Sequence, residues 1–168
     1  MSRVKIGTSR QDEMRIVVQR VRWARVSVEG RVVSEIGPGL LLLVGIGRGD
    51  GPEEVAWLAR KIPHLRLFAG DSGEGQGQGQ GRGKLDRSLL EIGGEVLAVP
   101  QFTLYGDVRK GRRPSFDGAA PPGEAEPLFE RFVEELKGSG LRVEQGIFRA
   151  HMVVELANDG PVTLILER

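Results

Sequence analysis

Glu95-Val96-Leu97-Ala98-Val99-Pro100-Gln101-Phe102-Thr103-Leu104-Tyr105-Gly106-Asp107 runs from a short apolar strand pattern straight into an amide, a ring and a hydroxyl. The run 95–99, opened by Gly93-Gly94, fits a buried strand, and Pro100 then denies the next ladder a donor. The chain is expected to bend there. A bend leaves the amides of Gln101, Phe102 and Thr103 without obvious sheet partners, and such amides in a cleft can hold a developing oxyanion. The same residues also fit a plain capped strand end followed by a Tyr-Gly-Asp turn.

Outward from this strand, Leu40 to Val44 is a second continuous apolar run, suited to a central strand covered on both faces. Arg15 to Val21 is rich in β-branched residues. Ala24 to Val28 alternates up to a Glu29-Gly30 turn, and Arg31 to Ile36 returns from it. Gly45 to Asp50 lacks the spacing of a dinucleotide-binding turn and reads as a flexible connection. A helix follows, with Gly51 as cap, Pro52 in the first turn, Glu54 at the third position and a stripe of Val55, Leu58, Ile62 and Leu65, shortened at Pro63. Leu65 to Phe68 reads as a short strand, and residues 71–83 as a mobile Gly-Gln loop too poor in apolar groups to fold alone. A second helix is expected over 124–137, with Ala125, Leu128, Phe132 and Leu136 on one face. Three more strands follow, at Arg142 to Glu144, Met152 to Ala157 and Val162 to Leu166. The fold class is therefore α/β: a layered, sheet-rich single domain over 14–168 with two main helices, preceded by a polar, disordered tail at 1–13.

Composition narrows the chemistry. The chain is 39% hydrophobic and 28% charged, with a mean hydropathy of -0.21, an ordinary globular composition. A net charge of +1 gives no general attraction to polyanions, so any RNA contact must come from a local cluster. Arg109-Lys110-Gly111-Arg112-Arg113 is that cluster. Without cysteine there are no disulfides, thiolate nucleophiles or cysteine zinc sites, and a reducing cytoplasm fits. His64 and His151 lack metal-ligand spacing, so neither a metal nor another cofactor is expected. No apolar run is long enough to span a bilayer as a helix, and no membrane partner is expected.

Two motifs carry a family resemblance. Val99 to Asp107 resembles the Ser-Gln-Phe-Thr-Leu motif of D-aminoacyl-tRNA deacylases, and Asn158-Asp159-Gly160-Pro161-Val162-Thr163 resembles their Asn-x-Gly-Pro-x-Thr motif. The likeness extends from Met14 to the C-terminus and includes Gln19-Arg20-Val21, Gly37-Pro38-Gly39-Leu40, Arg109 to Phe116 and Phe148 to Met152. There are two departures. Pro100 stands where the family usually has Ser, and Arg149 where Gly is common.

The resemblance implies a deacylase-like fold and hydrolysis of the ester joining a D-amino acid, or glycine mischarged on tRNA-Ala, to the 3′ ribose of tRNA. It implies a homodimer with active sites at the interface and neither a cofactor nor DNA as partner. The catalytic residues would be Gln101, Phe102 and Thr103. Substrate binding and chiral selection would fall to Gly160, Pro161, Arg20, Pro100, Ala150 and Met152, and tRNA binding to Arg109, Lys110, Arg112 and Arg113. The resemblance further implies a cis Gly160-Pro161 bond, inserted from one subunit into the other's site. Thr103 as covalent nucleophile with Asp107 as base, and His151 as base, are the alternative chemistries. Pro100 also opens a specificity alternative, since animal relatives that remove L-alanine carry Pro-Gln-Ala-Thr in this motif. A noncatalytic RNA-binding module is a further alternative, although the sequence shows no aromatic RNA-recognition motif.

Overall fold

The computed structural model describes residues 13–70 and 85–168. The expected Gly-Gln loop and, apart from Glu13, the expected tail lie outside them. The elements are β1 (Arg15–Val28), β2 (Arg31–Ile36), β3 (Gly39–Gly45), α1 (Pro52–Lys61), β4 (Arg66–Ala69), β5 (Leu85–Ser88), α2 (Leu89–Ile92), β6 (Glu95–Pro100), α3 (Pro122–Gly138), β7 (Arg142–Gln145) and β8 (Val153–Glu167).

β1 pairs with three strands, more than any other described strand does. One edge carries β8 antiparallel from Arg15↔Glu167 to Ser27↔Val153. The other edge is divided, taking β3 from Arg15↔Gly45 to Val21↔Gly39 and β2 from Ala24↔Ile36 to Val28↔Arg31. β6 then joins β3 in parallel, and β7 joins β6 in parallel. β4 and β5 form a separate antiparallel pair. The two segments expected within 15–28 are thus one strand, because each half finds its own partner along the same edge. Likewise the last two expected strands are one, β8, with its register interrupted opposite Val21.

The strands of the sheet centre bury side chains on both faces, as their unbroken apolar runs require. Leu40, Leu42, Val44, Val96 and Ala98 join Ile16 and Val18 under α1 and α3. The alternate residues Leu41, Leu97 and Val99 meet Val21, Ala24, Val26 and Ile36 in a second cluster, where β2 curls back toward β7. The Ser34 hydroxyl seals that curl by donating to the Gln145 carbonyl. Gly39 stands where β3 starts against β6; a Cβ there would lie 1.9 Å from the Glu95 carbonyl oxygen.

α1 starts as its sequence dictates. The Glu54 carboxylate reaches back to accept from the Gly51 amide at 2.9 Å. Pro63 ends it, and Ile62–His64 tightens to a 3-10 turn. α3 buries Phe129 and Val133 alongside the expected Ala125, Phe132 and Leu136, while Leu128 is only half-buried. The 45–50 connection, expected to be flexible, is braced: Asp50 accepts from the amides of Met14, at 2.9 Å, and Gly47, and the Arg48 amide donates to Gly118 at 3.1 Å. Asp50 is half-buried there, and that desolvation pushes its carboxyl up to about 7.

Candidate active site

The parallel strands β3 and β6 end side by side, and a cavity of about 380 Å³ opens beyond their carboxyl ends. Ligands of open α/β sheets bind in this position. Val44 and Ile46 close it at the end of β3, Pro100 at the end of β6, and Ala125 and Phe129 from α3. Phe116, Phe148, Ala150 and Met152 complete much of the wall. Among the described lining residues only Gln101 and Arg149 are polar, so the cavity is an apolar slot with polar groups at two places.

After β6 the chain turns into a single 3-10 turn over Phe102–Tyr105. The Gln101 amide donates to the Val44 carbonyl at 2.8 Å, continuing the β3–β6 ladder one step past Pro100. Gln101 is therefore not among the unpaired amides, contrary to expectation. Phe102 and Thr103 head the turn, where no preceding turn supplies carbonyls to their amides. The Gln101 carboxamide donates to the Thr103 hydroxyl, fixing both side chains at the turn. The Phe102 ring is 59% exposed and meets Phe116 edge-on, with centroids 5.2 Å apart. Buried Tyr105 anchors the turn from below, donating its hydroxyl to the Glu13 carbonyl at 2.8 Å.

Asp107 does not serve Thr103. Its carboxylate is forked by Arg109, with Nε at 2.9 Å and Nη2 at 2.6 Å, and also accepts the Arg109 amide at 3.0 Å. These bonds hold its carboxyl down at about 2, which makes it a weak base. The same pairing offsets the charge of Arg109 within the basic cluster. Lys110, Arg112 and Arg113 remain exposed at the tip of a loop closed by the Asp107 and Ser115 backbone bridge, at 2.8 and 2.9 Å. That loop leads directly into Phe116, so the cluster adjoins the cavity. His151 is exposed and does not line the cavity, unlike Ala150 and Met152 on either side of it.

The second motif forms a braced tip. The Asn158 Oδ1 accepts the Val162 amide at 3.0 Å, and its Nδ2 donates to the Thr163 hydroxyl at 2.9 Å. Between them Gly160-Pro161 is cis and exposed. Gly160 has φ +125°, and a Cβ there would lie 2.9 Å from the Arg20 guanidinium. Arg20 donates from Nε to the Asp159 carbonyl at 3.0 Å and from Nη1 to the Leu67 carbonyl at 2.6 Å, tying the tip to β1 and β4. None of Arg20, Gly160 and Pro161 lines the cavity of the same chain.

Sequence reasoning did not single out Phe129 or the 119–122 segment as cavity wall. Phe129 is legible only as a helix-face residue until the first turns of α3 are seen to lie over the slot.

Residues 17–167 match the family described as D-Tyr-tRNA(Tyr) deacylase. The D-aminoacyl-tRNA deacylase of Heliobacterium modesticaldum is 55% identical over 154 residues, 92% of this chain and 96% of the relative. That of Thermomicrobium roseum is 53% identical over 92% of this chain and 94% of its own length. A solved structure titled c-Myc DNA Unwinding Element Binding Protein superposes with a TM-score of 0.80 at 38% identity, covering 92% of this chain and 98% of that one. A second, titled as a probable eukaryotic D-amino acid tRNA deacylase, shares the fold at a TM-score of 0.76 and 19% identity, covering 93% and 100%. The mixed sheet with two covered faces is thus a recurrent architecture. The chain belongs to the D-aminoacyl-tRNA deacylase family.

Proposed function

We propose that this chain hydrolyses the ester between a D-amino acid and the 3′ ribose of tRNA, releasing both as a chiral proofreading step, and does the same for glycine mischarged on tRNA-Ala. The observation that carries this reading is the pair of amides at Phe102, which lines the apolar slot, and at Thr103 next to it, heading a one-turn helix with no competent base beside it among the described residues. An aminoacyl ester is activated, so a positioned water and a polarised carbonyl suffice. Water adds to the ester carbon, the two amides receive the oxyanion, and collapse expels the ribose 3′ oxygen, which takes up a proton. The substrate's own 2′-hydroxyl assists the water. Gln101, held by Thr103, orients the terminal nucleoside, and Phe102 with Phe116 shapes the entrance.

Chiral selection is assigned to Gly160 and Pro161, with Arg20 fixing their backbone. Rigid main-chain groups can reject one enantiomer while accepting many side chains. Because these residues do not line their own chain's slot, the reading places them in the slot of a second copy, in a homodimer with two composite sites. Support comes from β8, which among the described strands pairs with β1 alone and leaves Val153 and Ile165 exposed at 53% and 64%. Lys110, Arg112 and Arg113 would follow the tRNA backbone. The cytoplasm, where aminoacyl-tRNA is used, is the inferred location.

Comparing hydrolysis of D-tyrosyl, glycyl and L-alanyl tRNA tests the reading. D-tyrosyl and glycyl esters are expected to turn over and L-alanyl tRNA to be spared, because the Phe102 ring shapes the slot more than Pro100 does. Preference for L-alanyl tRNA would move the chain to the animal paralogue's specificity. Tight RNA binding without hydrolysis would leave a noncatalytic module. Duplex DNA belongs in the same assay as a competitor, since one similar solved chain carries a DNA-binding title.

A further inference from the structure

Arg149 is the only charged residue among the described residues that line the apolar slot. It sits in the turn that the Ala150 amide closes onto the Ile147 carbonyl at 3.2 Å, with φ +64°. An L residue pays for that left-handed backbone about 1 kcal/mol, which glycine would avoid. The chain therefore carries an arginine at a position where the backbone itself favours glycine. The side chain is exposed, and no hydrogen bond or ion pair among the described residues engages its guanidinium. A fork of five donors thus stands at the rim of an apolar slot with no partner among the described residues. Its planar fork is therefore available to an anion that reaches the rim.

We infer that Arg149 binds the phosphodiester on the 5′ side of the substrate's terminal nucleotide. The inference rests on the deacylase reading. With the ester at the Phe102 and Thr103 amides, the terminal nucleoside lies against the apolar wall and its phosphate emerges at the rim. Arg149 shares that wall with Ala150 and Met152. It is a binding residue and takes no part in bond making. It adds one charge contact to those of the basic loop, at the one nucleotide every tRNA substrate brings into the slot.

The test uses two 3′-O-D-tyrosyl esters, of adenosine and of adenosine 5′-monophosphate, with calorimetric titration of the parent adenosine and adenosine 5′-monophosphate. Wild type is expected to favour the phosphorylated member of each pair about tenfold, through KM and Kd, with kcat alike. In Arg149→Gly that preference collapses to near unity, and Arg149→Lys retains part of it. Glycine suits the positive φ, so the variant is expected to fold. Equal affinity of wild type for both nucleosides overturns the inference, as does a preference that survives in Arg149→Gly. If Arg149→Gly instead relieves inhibition by free D-tyrosine and keeps the phosphate preference, the side chain holds the product carboxylate and the inference fails. Wild type that hydrolyses neither ester sinks the deacylase reading, while the titration still decides whether Arg149 reads phosphate.

Discussion

Arg20→Ala removes the most buried of the side chains that tie the Gly160-Pro161 tip to β1, where Arg22 also reaches the Asp159 carboxylate at 3.4 Å. The Arg20 side chain is 14% exposed, and its guanidinium donates to the carbonyls of Asp159, at 3.0 Å, and Leu67, at 2.6 Å. Hydrogen bonds to charged groups contribute about 1.5–3 kcal/mol each. At the lower end, for carbonyls that water can partly reach once the side chain is gone, the pair amounts to about 3 kcal/mol. In a chain of this size that corresponds to a fall in Tm of roughly 6–12 °C. Arg20→Lys keeps the charge but cannot fork to both carbonyls, so about half the loss is expected. Thermal melting gives the stability, and the ratio of D-tyrosyl to L-tyrosyl tRNA hydrolysis gives the discrimination, which is expected to fall about tenfold as the 159–161 backbone loosens. An Arg20→Ala protein with a Tm within about 1 °C of wild type and an unchanged ratio would refute this account of the tip.

Thr103→Ala should fold and retain measurable activity, reduced by roughly tenfold because Gln101 loses its anchor; a trapped threonyl ester in wild type would reverse the assignment. Gly39→Ala forces a Cβ against the Glu95 carbonyl and should cost about 3 kcal/mol in urea unfolding, while a neutral result would mean β3 and β6 can separate there at no cost. Asp50 has a raised carboxyl, so its contribution to stability is fully present below its ordinary value of 3.8 and is lost as pH rises through about 7. Between pH 6 and 8 the loss is at most about 1.4 kcal/mol and, discounted for solvent access, about 0.7 kcal/mol. Denaturant midpoints should therefore fall over that interval, and Asp50→Asn should flatten the profile. Alanine at Lys110, Arg112 or Arg113 should each lower the salt slope of tRNA binding by roughly 0.7–0.9, and Arg109→Ala by less, since Asp107 already pairs it. Equal slopes for all four variants would argue against that distinction.

The sequence makes legible whatever depends on near neighbours. The apolar runs at 40–44 and 95–99, the Glu29-Gly30 hairpin and the Gly51 to Glu54 start of α1 all follow from spacing alone. Ser88 and Glu91 form a capping box, 2.6 and 3.2 Å, and open α2 through the same local Ser-x-x-Glu spacing. What stayed hidden depends on distant partners. Nothing around Gln101 reveals that its amide is taken by Val44, 57 positions earlier in the chain. Nothing around 15–28 reveals that one strand serves two neighbours on the same edge. The Arg109 fork on Asp107 is local but competes with solvent, so a charge cluster read from sequence overstates the cations available to RNA.

β1 pairs along its whole length with β8, a segment separated from it by nearly the entire chain. During synthesis the first strand made must therefore wait, with an open ladder of amides and carbonyls, until residues 153–167 have left the ribosome. β2 and β3 can dress one edge early, but the other edge has no earlier candidate among the described strands. Pairings of such long sequence separation are slow to close, and open edges invite other nascent chains. A release that stalls before residue 153 would thus leave a molecule with its helices and half its sheet in reach, yet adhesive, and the cell's need for a chaperone at this protein should track the delay in delivering its last strand.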